Sequence, residues 1–401
     1  MGASTPRSDA VEPTESKQTA LARRVKEYEE RFAAVVGAEH ALAFSYARVG
    51  LRAVLRALGA QLGDEIILSP LTCKVVPLAL LSLELKLVYA DISADTLNLD
   101  PSAVERAISP RSRAILFQHT YGSSTGIDQV AAVAVRRGIP LIEDCAQCLP
   151  DPDATRGPGT RGIAAVFSNN LRKPLPAGSG GVVVMNDGAL ARAVQVEREQ
   201  LPLRGAVSNL AMRAEAMAHK HLLTPGTYWH LFALKQRLAR YYKAKPLAEE
   251  IVAEVSDVAF QVSHHQVAAG LKWLDSLPDL VAHRRRHVRS YAEALSEMSS
   301  LSVPTVDERA PLYYFPVHSG KKETILEAAR KRRVELIAWP IEYPIFPVER
   351  EEELASYGYQ VGSCPFAEEV ARTLIGIPMD RKNRDSHRGD VLALFRSFAG
   401  T

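Results

Sequence analysis

The chain is short of several things, and each shortage excludes a class of function. Four cysteines in 401 residues are too few for a disulfide framework. The most apolar stretch, Val75 to Ala90, is interrupted by Pro77, Glu84 and Lys86, so no transmembrane segment is expected. The start is polar and lacks the apolar centre of a secretory leader, which makes the expected location cytoplasmic. Neither charge sign dominates: 49 basic and 46 acidic residues leave a net charge of +3. That near balance gives no footprint for nucleic acid. Cys145 and Cys148 form a C-x-x-C, but no second Cys or His pair follows at zinc spacing. They are read as small apolar residues, and no metal is expected.

What is present is a chain long enough for two domains. Residues 1–18 are rich in Ser, Thr, Pro and Glu and read as a disordered tail. Leu21, Val25, Tyr28, Phe32, Val35 and Val36 then recur at helical spacing up to Gly37. From residue 41 to 145, short apolar strands alternate with helical segments. This is the pattern of a mainly parallel sheet with helices on both faces. Ligands of such sheets sit beyond the carboxyl ends of the strands, where Ser45 to Arg48, Thr72 and Asp144 fall.

The most informative stretch runs from Pro140 to Asp187. An apolar strand ends on Glu143 and Asp144, and Phe167-Ser168 closes another. Lys173 follows five residues after Ser168, ahead of Gly178, Gly180 and Gly181. Alone, such a lysine is usually a solvated loop residue, and such an Asp a helix cap. Together, a buried acid, a loop lysine and a nearby serine suit an aromatic phosphorylated aldehyde, pyridoxal phosphate. The lysine bonds the aldehyde, the acid holds the ring nitrogen protonated, and the serine and backbone N–H groups bind the phosphate.

Three motifs in this order carry a resemblance: Glu143-Asp144-Cys145-Ala146-Gln147, Phe167-Ser168 with Lys173, and Gly180-Gly181 with Asn186-Asp187. They resemble the E-D-x-A-Q, F-S-x-x-x-x-K and G-x-G-G-x-V-V-x-N-D of the DegT/DnrJ/StrS nucleotide-sugar aminotransferases. The resemblance implies an α/β protein of the fold-type I pyridoxal phosphate class. Its large domain, residues 19–275, holds a mainly parallel sheet sandwiched by helices; residues 276–401 form a smaller α+β domain. It implies Lys173 and Asp144 as catalytic residues. Gln147, Ser168, Ala146, Cys73 and the backbone at Ala47 and Arg48 join them around the cofactor. Cys73 occupies the position of the family's ring-stacking aromatic, and Ala47-Arg48 replaces a Gly-Thr at the phosphate turn. His119 is read as structural.

The implied reaction moves an amino group from an amino acid, by family norm glutamate, to a keto sugar in amino-sugar, polysaccharide or natural-product biosynthesis. A homodimer is implied too, although Ala259 and Gln261 replace the Asn and Arg of the family's interface motif and Ser179 replaces an acid. Two alternatives stand beside it. One is a pyridoxal phosphate enzyme with a dehydratase-type outcome or a non-sugar substrate. The other is a non-catalytic scaffold or regulator, which would need neither Lys173 nor Asp144. Residues 197–250 are a helical, basic extension with Tyr228, Trp229, Phe232, Tyr241 and Tyr242. A single long helix is expected after Gly270 to about Met298, with the run His283 to His287 as its solvated face.

Overall fold

The computed structural model describes residues 17–151, 157–170, 173–176, 179–205, 210, 214, 217, 246–298, 301–379 and 385–399. Residues 1–16 of the expected tail and the five aromatics of the extension lie outside that set. Lys17 and Gln18 already belong to the first helix.

The first half runs α1 (Lys17–Val36), β1 (His40–Phe44), α2 (Ala47–Ala57), β2 (Glu65–Leu68), β3 (Thr72–Cys73), α3 (Val75–Leu81), β4 (Lys86–Tyr89), α4 (Pro101–Ala107), β5 (Ser112–Gln118), α5 (Ile127–Arg137), β6 (Leu141–Cys145), β7 (Ala164–Ser168), β8 (Gly181–Met185) and α6 (Gly188–Glu199). The second half runs α7 (Leu247–Ser256), α8 (His264–Asp275), α9 (Leu277–Ser296), β9 (Tyr314–His318), α10 (Lys322–Arg332), β10 (Ile345–Phe346), α11 (Glu351–Leu354), α12 (Pro365–Thr373), β11 (Leu374–Pro378) and α13 (Asp385–Ala399).

Seven strands form one sheet in the order β1-β8-β7-β6-β5-β2-β4. Strands β7, β6, β5, β2 and β4 are parallel, while β8 runs against both β7 and β1. Alternate side chains of β8 serve opposite faces. Val183 and Met185 pack with Val54 and Leu55 of α2, and Val182 and Val184 with Phe32 of α1. Helices thus cover both faces, as the alternation of strand and helix requires.

Because β8 is antiparallel, its first residue lies at the edge where its neighbours end. Gly181 pairs with Ser168 on one side and with Phe44 on the other. Asp144 pairs with Gln118 of β5 and Val166 of β7. One edge of the sheet therefore gathers Ser45, Gln118, Asp144, Ser168 and Gly181.

Beyond the sheet, β9 and β11 pair antiparallel over a separate core that includes Phe315, Ile325, Ile375 and Phe395. The long helix expected after Gly270 is two helices, broken at Ser276. Pro278, in the first turn of α9, has no N–H to continue α8. Helix α9 adds Leu277, Leu280 and Val281 to the sheet-side core and Val288, Tyr291 and Leu295 to the other. Held between two cores, it does not present its basic run wholly to water. Arg284 is only 1% exposed, with its guanidinium 5.4 Å from the Tyr313 ring. Arg285 donates to Asp151 at 2.6 Å.

Candidate active site

The two acids that end β6 leave the strand on opposite faces. Glu143 is fully buried. It accepts hydrogen bonds from the backbone N–H of Gly159 (2.7 Å), Arg161 (2.6 Å) and Gly162 (2.6 Å) and pairs with His119 Nε2 at 2.8 Å. Burial alone would raise its pKa, but His119 and the backbone donors hold it below the ordinary carboxylate value. Glu143 thus ties down the loop that leads into β7. His119 is likewise enclosed, with Ser124 Oγ 3.0 Å from Nδ1 and Phe117 edge-on to its ring at 5.1 Å.

Asp144, 7% exposed, accepts one hydrogen bond among the described residues, from the Ala146 N–H at 2.9 Å. Burial pushes its pKa above the ordinary value, against the pull of that N–H and of the Lys173 and His119 charges. The Lys173 ammonium is thus within electrostatic reach of the Asp144 carboxylate. Lys173 is half-buried in a turn between β7 and β8, its N–H bonded to the Asn170 carbonyl at 3.0 Å. Gln147 accepts from the Tyr121 N–H through Oε1 at 2.9 Å, which leaves its Nε2 as a donor.

The start of α2 faces the same edge. Its helix begins at Ala47, after an extended Tyr46. The N–H groups of Ala47 and Arg48 bond nothing among the described residues, as first-turn donors do. A side chain at Gly181 would put its Cβ 2.3 Å from the Ala47 nitrogen. Only glycine allows β8 and α2 to approach this closely. Ser168 Oγ also has no partner among the described residues. Gly178 lies outside the described residues.

Sequence reasoning missed the partner of Arg48. Its guanidinium pairs with Glu254 of α7 and lies 4.5 Å from the Tyr46 ring. Burial raises the pKa of Glu254 despite Arg48 and Arg52. No local pattern announces an ion pair between residues this far apart. Ser45 Oγ is engaged by the Val258 carbonyl at 2.7 Å. Gln261 bonds the Leu201 carbonyl at 2.9 Å. Gln266 caps α8 together with Ser263 and reaches Ser45 O (2.9 Å) and Ser179 Oγ (2.7 Å). Cys73 is half-buried in β3, which pairs in parallel with β10 so that Phe346 is its register partner. Gln118 Nε2 donates to Leu71 O at 2.5 Å and fixes that segment beside β5.

Among the described residues, one sheet edge thus offers a buried acid short of donors, a lysine near it, two open helix N–H groups and a free hydroxyl. These residues fit pyridoxal phosphate, whose basic ring nitrogen, aldehyde and phosphate need a carboxylate, an amine and N–H or O–H donors. Among known proteins, the spore coat polysaccharide biosynthesis protein SpsC of Bacillus subtilis is 26% identical over 399 residues, 97% of this chain and 92% of that protein. The L-glutamine:2-deoxy-scyllo-inosose aminotransferase of Micromonospora echinospora is 36% identical over 207 residues, 49% of each chain. The solved structure of DesI in the presence of its TDP-sugar product is 26% identical, with a TM-score of 0.69 over 94% of this chain and 85% of that one. The model of the DegT/DnrJ/EryC1/StrS aminotransferase family matches residues 5–396. With its motifs, fold and full-length match in agreement, the chain belongs to the DegT/DnrJ/EryC1/StrS family of pyridoxal phosphate-dependent aminotransferases.

Proposed function

We propose that this aminotransferase moves an amino group from an amino acid, glutamate first among candidates, to a nucleotide-linked keto sugar. One observation carries the site assignment: the buried Asp144 carboxylate at the end of β6, with the Lys173 charge acting on it. Pyridoxal phosphate, when bound, supplies an aldehyde that takes up an amino group and a ring that draws electrons from the reacting carbon.

Asp144 accepts the ring nitrogen's N–H and keeps the proton there. Lys173 Nζ holds the cofactor at rest. Released when the donor arrives, it takes the proton from the donor's α-carbon, and in the second half-reaction it delivers one to the acceptor carbon. Ser168 Oγ and the N–H groups of Ala47 and Arg48 bind the phosphate, aided by the helix dipole of α2. Gln147 Nε2 would donate to the ring's phenolic oxygen, and Ala146 would pack against the ring. Cys73 lines one face where the family places an aromatic, and Phe346 brings an aromatic side chain to the same face of the β3–β10 pair.

The sugar acceptor is supported by two similar proteins, one in polysaccharide biosynthesis and one solved with a TDP-sugar. The division at 275/276 is supported by the break at Ser276 and by the separate core of residues 288–395. The homodimer rests on the family resemblance; for the setting, no helix among the described residues is long and apolar enough to cross a membrane.

The test is a half-reaction. Protein loaded with pyridoxal phosphate is expected to be yellow, to bleach with borohydride and to lose its colour with L-glutamate or L-glutamine alone. Lys173→Ala is expected to lose the borohydride-sensitive band, with turnover down by about 10³-fold or more. Colour that persists through every amino donor would overturn amino transfer. Turnover of a free keto-cyclitol but of no nucleotide-linked keto sugar would overturn the acceptor assignment.

A further inference from the structure

The C-x-x-C that the active site leaves unused lies behind β6, away from Asp144. Glu143 and Cys145, two residues apart on one strand, share a face of the sheet. The chain then turns, with the Cys148 N–H bonded to the Cys145 carbonyl at 3.0 Å, and the turn brings Cys148 close enough to interact with Cys145 and His119. His119 reaches in from the end of β5. The Nε2/Nδ1, carboxylate and Sγ atoms of His119, Glu143 and Cys145 come within 4.8 Å of one another. All four side chains are buried, with Cys148 the most exposed at 4%.

From this we infer that His119, Glu143, Cys145 and Cys148 form a structural site for a thiophilic divalent cation, zinc by chemistry. Two sulfurs, one imidazole nitrogen and one carboxylate oxygen are a donor set that favours tetrahedral zinc over magnesium or calcium. Metal–ligand bonds of about 2.0–2.3 Å imply ligand–ligand separations of about 3.3–3.8 Å, a contraction of the His119–Glu143–Cys145 trio with Cys148 Sγ drawn in to join it. The surroundings are already arranged for it. With Nε2 on the metal, Nδ1–H would donate to Ser124 Oγ, which stands 3.0 Å away. That is the outer hydrogen bond a metal-bound imidazole usually makes. Glu143 would exchange its bond to His119 for the cation while keeping its loop N–H donors. Binding one Zn²⁺ converts two thiols to thiolates and releases two protons. Four protein ligands leave no open position, so the ion holds the β5 end, β6 and the turn that carries Ala146 and Gln147 without touching substrate.

The site sets sequence spacing aside: one ligand comes from a neighbouring strand rather than from a second Cys or His pair. The experiment uses the full chain, incubated with zinc sulfate, dialysed against metal-free buffer and analysed by mass spectrometry of the metal. About one zinc per chain is expected in the wild type, falling at least tenfold in Cys145→Ser and in Cys148→Ser. Cobalt(II) loading is expected to give thiolate-to-metal charge transfer in the near ultraviolet and intense tetrahedral d–d bands, both absent from the variants. Circular dichroism of each variant reports whether it is folded. Should a variant unfold, the cobalt spectrum of the wild type decides, since sulfur ligation has its own signature. Wild-type protein that retains no zinc, binds cobalt without a thiolate band or keeps its zinc in both serine variants would overturn the site.

Discussion

Glu143 and Asp144 are neighbours in the chain, but their surroundings have little in common. Behind the sheet, Glu143 meets three backbone donors and an imidazole. In front, Asp144 meets one backbone donor and the field of a lysine. A buried carboxylate with its hydrogen bonds filled is a fastener, and its removal leaves several donors stranded. One left short of donors contributes little to the fold and stands ready for a cationic partner. On the proposed function, that difference separates stability from chemistry over a single residue of the strand.

The sharpest way to break this contrast is Asp144→Asn. The amide cannot hold a ring nitrogen in its protonated form, so kcat/KM is expected to fall by about 10²–10⁴-fold. The urea midpoint should change little. Glu143→Gln should do the reverse. With its amide oxygen kept on the Arg161 and Gly162 N–H groups, the Gly159 N–H would face an amide NH2, and unfolding free energy is expected to drop by about 1–3 kcal/mol in urea titrations. Circular dichroism and steady-state kinetics on the same two preparations check both. If the asparagine variant unfolded early while the glutamine variant lost only activity, the roles would have to be exchanged.

A smaller effect extends the contrast to the C-terminal half. Lys322, 2% exposed, donates to the carbonyls of Pro340 (3.0 Å), Ile341 (2.5 Å) and Ala371 (2.6 Å). It is a fastener of opposite charge. Lys322→Met should cost about 2 kcal/mol by stranding those acceptors. Burial lowers its pKa from 10.5 to about 8, against the opposing charges of Glu323 and Glu342, with His318 also close enough to interact. Between those two pH values the unfolded chain binds more protons than the folded one. Wild-type stability therefore gains from this residue as pH rises through that window. The deficit of the methionine variant is expected to widen from pH 8 towards pH 10, as urea midpoints at each pH would show.

Much of the site was legible because its chemistry is written in short spacings. Asp144 ends an apolar strand, and Lys173 follows Ser168 at a fixed interval. Asp144 falls where the alternation of strands and helices puts a ligand. What the sequence hid was long-range or reversed by burial. The Arg48–Glu254 pair joins α2 to α7, and the approach of Phe346 to Cys73 joins the last third of the chain to the first. Arg284 sits in a run of five basic residues that periodicity alone assigns to water. Its burial follows from α9 bridging two cores, a fact of packing rather than of pattern. Glu143 and its three loop donors were invisible for the same reason, since backbone N–H groups carry no sequence signature.

The two-residue pairing of β10 with β3 has a practical bearing on any shortened version of this enzyme. Thr72 and Cys73 find their strand partner at Ile345 and Phe346, and the Lys74 N–H is anchored to the Phe346 carbonyl at 2.8 Å. Trimming the polypeptide ahead of that point would spare Lys173 and Asp144 yet remove the strand partner of Thr72 and Cys73. On the proposed reading, in which Cys73 lines the cofactor, a minimal catalyst would have to carry a substitute for that pairing.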